Sequence, residues 1–344
     1  MLPNTGDIIP LLVAIFLPFL VVFALMPRYI SYLRGKGRLT NDAHKGPEVR
    51  VPTPAGPLLM AAVVLGELGV WAYYGSILPL VVVGSVLIAG LIGLYDDLKG
   101  LGGVVKPALL VLSGGVVVLA HFLYPGVYDA RLYFPLFTYT GTHYIIFALI
   151  VLASVPVASN AFNMLDAFNG EISGFTAIVS ASLVLAIILR AVEDPSTTPT
   201  TIAIAIPLLS VSLAFYYFNR YPSRIFDGDS GSLMFGAMYV VLSIVGGVEI
   251  AALVALIPAV LNSYYILSSV RGLVERKQMT TRPTHVGQDG RLYAATEEAA
   301  PTTLARMVLL GGPLGEKELV NQILLICGFA AVLSVVTSAM TWLL

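Results

Sequence analysis

Three stretches of this chain concentrate side chains suited to phosphate and divalent cations: Asp96-Asp97, the run Asn160-Ala-Phe-Asn163-Met-Leu-Asp166, and Phe226-Asp-Gly-Asp229-Ser-Gly-Ser232. Clustered carboxylates repel one another and need a cation or a proton to compensate them. Asp and Asn oxygens, completed by phosphate, are the usual ligand set for Mg²⁺. Asn160, Asn163 and Asp166 recur every third residue, so a helix gathers them into one polar stripe. A hydrogen-bonded seam between membrane helices is the bland alternative for that stripe. Asn169-Gly170 then reads as a turn. In the third stretch, Gly and Ser around a helix start leave backbone N–H groups free for an anion, with Asp229 placed to hold a metal bridging to it.

The elements that must carry these residues are membrane helices. Of 344 residues, 57% are hydrophobic and 11% charged, against about 25% charge in soluble domains, which excludes an ordinary globular fold and a disordered chain. A net charge of −1 offers no bulk attraction to nucleic acid. The single Cys327 sits in an apolar run and can form no internal disulfide. Apolar stretches fall at 8–26, 54–74, 77–95, 107–124, 143–160, 172–190, 200–218, 231–247, 249–269 and 320–342. Each is about 20 residues long, enough for one helical crossing. Backbone groups in hydrocarbon must bond internally, so the expected fold is an all-α integral membrane bundle of ten transmembrane helices.

Loops 27–53, 96–106, 219–230 and 270–319 hold six, two, two and seven Lys and Arg, leaving only Arg131 and Arg190 on the other side. The positive-inside rule makes the rich face cytoplasmic and both termini extracytoplasmic. The three acidic stretches then end or begin different helices at one cytoplasmic mouth. The chain is expected to be a single polytopic domain, 1–344, of the plasma membrane, with loop 270–319 over the mouth and a short outer hairpin within 125–142.

Taken together, the three stretches resemble the cytoplasmic motifs of the polyprenyl-phosphate N-acetylhexosamine-1-phosphate transferases, in the family's order and positions. The resemblance implies transfer of a sugar 1-phosphate from a UDP-N-acetylhexosamine to a membrane polyprenyl phosphate, releasing UMP, with Mg²⁺ and Mn²⁺ as its substitute. It implies that Asp229 and Asn163 hold the metal. Asp96 and Asp97 match an acidic pair near the acceptor phosphate, Lys106 a phosphate-contacting lysine, and Asp166 joins them as catalytic. Asn160, Asn169, Asn219, Arg282, His285, Asp42 and Lys45 fall on the substrate-binding side. Asn169-Gly170-Glu171, Pro258-Ala-Val-Leu-Asn262 and the lack of a histidine cluster around Arg282-Pro-Thr-His285 are more similar to the dolichyl-phosphate GlcNAc branch than to the MurNAc-pentapeptide branch. Asp227 replaces a usually apolar residue and has no role in the family pattern.

Two other readings are carried forward. One is a bacterial-type transferase using undecaprenyl phosphate; the other, of a different class, is a secondary transporter with the polar stripe as its ion path. Against transport, the acids gather at helix ends rather than at the midplane, and no inverted repeat is visible. Homodimer formation is left open.

Overall fold

The computed structural model describes residues 7–45, 48–135, 137–140, 144–194, 197–270, 272 and 281–343. Arg271, Arg276 and Lys277, which entered the charge count, lie outside them. The architecture is helical: α1 (Ile8–Gly35), α2 (Gly56–Tyr74), α3 (Leu78–Lys99), α4 (Val105–Leu123), α5 (Tyr144–Leu165), α6 (Glu171–Glu193), α7 (Pro199–Asn219), α8 (Asp229–Val245), α9 (Glu249–Val270), the short α10 (Leu304–Leu309) and α11 (Glu316–Trp342). Three antiparallel hairpins sit in loops: β1 (Leu39–Asn41) with β2 (Arg50–Pro52), β3 (Leu132–Phe134) with β4 (Phe137–Thr140), and β5 (Thr284–Val286) with β6 (Leu292–Ala294).

Among the described residues, nine helices are long and apolar enough to cross a membrane, and the chain is a multi-pass membrane protein. The tenth expected crossing is α8, with 17 residues. At 1.5 Å per residue it is about 25 Å long, less than a hydrocarbon core of about 30 Å. Its position explains how it can be short: residues Ser230–Val245 are all buried, walled by α3 and α5 and touched by α2, α7 and α9. Close approach is secured by glycine. A Cβ on Gly93 of α3 would lie 2.4 Å from the Asp229 carbonyl oxygen, and one on Gly236 of α8 would lie 2.6 Å from Ser159 Cα of α5.

Several helices outrun their apolar stretches at the end that carries the acidic residues. α1 continues to Gly35, α3 to Lys99 and α5 to Leu165, and α8 begins at Asp229. The polar motifs therefore occupy terminal helical turns. Backbone bonds stitch these ends together: Phe226 N–H donates to the Pro52 carbonyl, while Ala55 and Gly56 N–H donate to those of Phe226 and Asp227. The loop after α7 thereby docks on the start of α2. Asn262 of α9 donates to the Met164 carbonyl at 3.0 Å and accepts from Leu304 N–H at 2.8 Å, tying α9 to the end of α5 and to α10.

Candidate active site

The centre of the site is the first turn of α8. An N-terminal helical turn leaves N–H groups without intrahelical partners, and here the end of α3 supplies the acceptor. Asp97 takes Asp229 N–H at 2.8 Å and Ser230 N–H at 3.0 Å, and the Ser230 hydroxyl at 2.7 Å. The anion that the Gly/Ser-rich helix start invites is thus a carboxylate of the chain itself, and both oxygens of Asp97 are engaged in fixing where Asp229 stands.

Asp229 projects from that turn between two partners. Lys106 of α4 donates to its Oδ2 at 2.5 Å and also pairs with Asp96. Asn163 of α5 donates through Nδ2 to Asp229 Oδ1 at 2.8 Å and to Ser232 Oγ at 2.9 Å. Asp96 is held in turn by Leu101 N–H at 2.5 Å. Four helices, α3, α4, α5 and α8, therefore converge on Asp96, Asp97, Asn163, Asp229 and Lys106. The Asp229 side chain keeps 32% of its surface exposed, against 9% for Asp96 and 14% for Lys106, so it faces the opening.

The donor set suits a hard divalent cation. It consists of carboxylate and carboxamide groups, and the Lys106 ammonium already occupies a cationic position between Asp96 and Asp229. Among the described residues no three His, Cys, Asp or Glu side chains form a ready metal cage. Mg²⁺ commonly takes one or two protein ligands and completes its shell with substrate phosphates and water.

The expected polar stripe divides. Asn163 joins the cluster. Asp166, just past α5, meets the side chain of Asp227, which is fully buried; burial and then the Asp166 carboxylate push the Asp227 carboxyl well above the usual carboxylate range. Asp227 therefore enters as the buried partner of a carboxyl pair, an arrangement its sequence context did not assign. Asn160 turns back on its own helix and donates to the Pro156 carbonyl at 2.8 Å. Asn219 is buried and internally bonded, accepting from Ser173 Oγ at 2.6 Å and donating to the Ile225 carbonyl at 3.1 Å. It fixes the loop after α7.

Asp42, Lys45 and Asn169 come together in a second network. Lys45 Nζ lies 2.7 Å from Asp42 Oδ2 and 3.2 Å from Asn169 Oδ1, and 4.7 Å from the Tyr221 ring centroid. Burial alone would raise the Asp42 carboxyl; the bonds from Lys45, Asn169 and the His44 N–H outweigh it and hold the group below the usual range. His44 stacks on Phe168 at 4.4 Å. Arg282 and His285 line a separate cleft of about 640 Å³, with Ala43, His44, Thr281, Thr284, Thr296 and Glu297 on its walls. Sequence reasoning had not singled out Glu316, which accepts from both the Asn169 backbone and side chain, although Gly315-Glu-Lys-Glu318 has the look of a helix start.

Comparison with known proteins finds relatives among the glycosyltransferases. Residues 79–247, from α3 to the turn after α8, match the family model described as glycosyl transferase family 4. The chain is 29% identical over 317 residues to a provisionally named glycosyltransferase of Methanocaldococcus jannaschii, covering 91% of each chain. It is 31% identical over 271 residues to the phospho-N-acetylmuramoyl-pentapeptide-transferase of Desulfotalea psychrophila, covering 67% of this chain and 73% of the relative. A Saccharolobus solfataricus protein, provisionally named a UDP-N-acetylglucosamine–dolichyl-phosphate N-acetylglucosaminephosphotransferase, is 26% identical over 340 residues, with 94% and 96% coverage.

Proposed function

The chain belongs to glycosyl transferase family 4, and from that premise we propose that it moves N-acetylhexosamine 1-phosphate, GlcNAc 1-phosphate in particular, from a UDP-sugar to a dolichyl-type polyprenyl phosphate. Family membership makes it a transferase and removes the transporter reading. In the proposed reaction an acceptor phosphate oxygen attacks the sugar-bearing phosphorus of the donor. The new phosphorus–oxygen bond replaces the one to the bridging oxygen, whose electron pair leaves with UMP. A phosphate monoester has a second pKa of about 6, so the acceptor is mostly a dianion at neutral pH and needs positioning more than deprotonation.

The observation that carries the reading is the sharing of Lys106 between Asp96 and Asp229, with Asn163 on the other Asp229 oxygen. Asp229 and Asn163 would hold Mg²⁺, which would supply charge neutralisation for the diphosphate and its leaving group. Lys106 adds a fixed cation where negative charge accumulates. Asp97 holds the first turn of α8 so that Asp229 meets the substrates at a set angle. Arg282 and His285 face the 640 Å³ cleft, which we assign to the donor sugar, with Asp42, Lys45 and Asn169 forming the wall behind it. The positive-inside count supports ten crossings, with α8 included, both termini outside and the site facing the cytoplasm of the plasma membrane.

Purified protein given polyprenyl phosphate, Mg²⁺ and a panel of UDP-sugars should release UMP and form a lipid whose mass equals acceptor plus sugar phosphate. Failure to release UMP from every UDP-sugar overturns the proposal. The mass of the lipid product separates a dolichyl-type acceptor from undecaprenyl phosphate, the acceptor of the bacterial-type reading.

A further inference from the structure

Asn169 makes every hydrogen bond its carboxamide can make. Nδ2 donates one hydrogen to Asp42 Oδ2 at 3.1 Å and the other to Glu316 Oε1 at 2.5 Å. Oδ1 accepts from Lys45 Nζ at 3.2 Å and from Ser223 N–H at 2.7 Å. The backbone N–H of Asn169 adds a bond to the same Glu316 oxygen at 2.9 Å. Two carboxylates on the nitrogen side and a cation and a donor on the oxygen side leave the amide a single orientation. The group is inaccessible: Asn169 and Asp42 are each 2% exposed and Glu316 8%. Four segments meet around this one side chain: the loop holding Asp42 and Lys45, the α5–α6 turn, the loop after α7 through Ser223, and the first turn of α11.

We propose that Glu316 is a positioning residue of the donor site, and that Glu316 and Asp42 together require a neutral amide at position 169. The inference rests on the reading of the Asp42–Lys45 loop as a wall of that site. Asp42 and Lys45 flank Ala43 and His44, which line the Arg282 cleft, so the bonds reaching from Glu316 through Asn169 to Lys45 set where that wall stands. A carboxylate at 169 would place three anions around one ammonium, and its oxygens could not donate to Asp42 or Glu316. A carboxamide at 316 reverses the roles. Its oxygen accepts the backbone N–H of residue 169 while its nitrogen donates to a carboxylate there, leaving the network with the charge it has now.

The test is a charge-swap cycle on the full-length protein. Asn169→Asp is expected to raise the KM for the UDP-sugar at least about tenfold, the scale of coupling between residues in one network, with a smaller change in kcat and in the acceptor KM. Asn169→Asp combined with Glu316→Gln should recover most of that loss, and Glu316→Gln alone should be mild, whereas Glu316→Ala should raise the donor KM. Thermal unfolding in detergent should rank the wild type and the double variant above Asn169→Asp; if the single variant does not fold, recovery of a folded protein by the second substitution is the expected result. A double variant no better than Asn169→Asp in donor KM and in unfolding overturns the proposal, as does an effect confined to unfolding with donor KM unchanged throughout. If the wild type releases no UMP, the transferase reading fails on its own, while the unfolding order still tests whether 169 and 316 must be matched.

Discussion

Both ends of the bundle carry buried polar clusters, and they are built on opposite principles. At the end bearing Arg190, a guanidinium that is 3% exposed donates to Asp194 Oδ2 at 2.8 and 3.0 Å and to the Gly246 carbonyl at 2.8 Å. Asp129 lies 3.6 Å from it and 2.9 Å from Arg131, and the Tyr133 and Trp342 rings cover its faces at 5.4 and 4.9 Å. In these contacts two cations meet two carboxylates, with the buried Glu249 near both Arg190 and Asp129. At the other end Asp96 and Asp229 share Lys106, while Asp97 accepts from the Asp229 and Ser230 N–H groups and the Ser230 hydroxyl. Fold stability alone would favour the first arrangement, since uncompensated charges near one another cost energy. An excess of negative charge at an opening is what the proposed metal and phosphate site would have to accept. The contrast fits the proposed division of labour, in which the balanced cluster pins helices and the unbalanced one would bind.

The contrast would break if the open cluster were dispensable. Asp229→Ala is expected to lower transfer by about 10³-fold, read as UMP release by purified protein, with the helix bundle still folded. Near-wild-type turnover would remove the site. Asp97→Asn keeps the side chain's shape but turns an NH₂ toward one of the α8 donors that the carboxylate now accepts. Displacing Asp229 by even an ångström can cost about 10²-fold in kcat, with the UDP-sugar KM largely kept. A loss confined to donor binding would show that Asp97 belongs on the donor side.

These residues were legible in the sequence for a physical reason, and the rest were not for another. Asp96-Asp97, Asn163 and Asp229 stood out because polar groups at the ends of apolar helices are expensive unless they are used. Their pairings were hidden, since a pattern of threes places Asn160, Asn163 and Asp166 on one helix face but does not say which neighbouring helix each meets. Asn160 found its own Pro156 carbonyl and Asp166 found Asp227. Hydropathy marks where apolar residues stop, not where backbone hydrogen bonding stops, so α1 runs nine residues past its apolar stretch. Glu316 was invisible because its meaning depends on Asn169, 147 residues away.

At the closed end the predicted effects fall on stability. Arg190→Ala leaves Asp129 and Asp194, each under 20% exposed, without their shared cation. Breaking a buried pair costs about 3 kcal/mol, so the thermal midpoint in detergent should fall while UMP release per folded molecule stays unchanged. An activity loss that persists in the folded fraction would mean the two ends are coupled.

The smallest expected effect sharpens the comparison most. Gly247, in the turn between α8 and α9, has φ +59°, and a Cβ there would lie 1.5 Å from Arg190 Nη1. Gly247→Ala therefore imposes two costs, a left-handed backbone of about 1–2 kcal/mol and a displaced guanidinium. The costs separate in the Arg190→Ala background, where no guanidinium remains to displace and only the backbone term survives. Unfolding should then show the two substitutions to be less than additive, as for residues in contact. Strict additivity would mean that Gly247 serves the turn alone and that the Arg190 cluster is held by Asp194 and the aromatic rings without it.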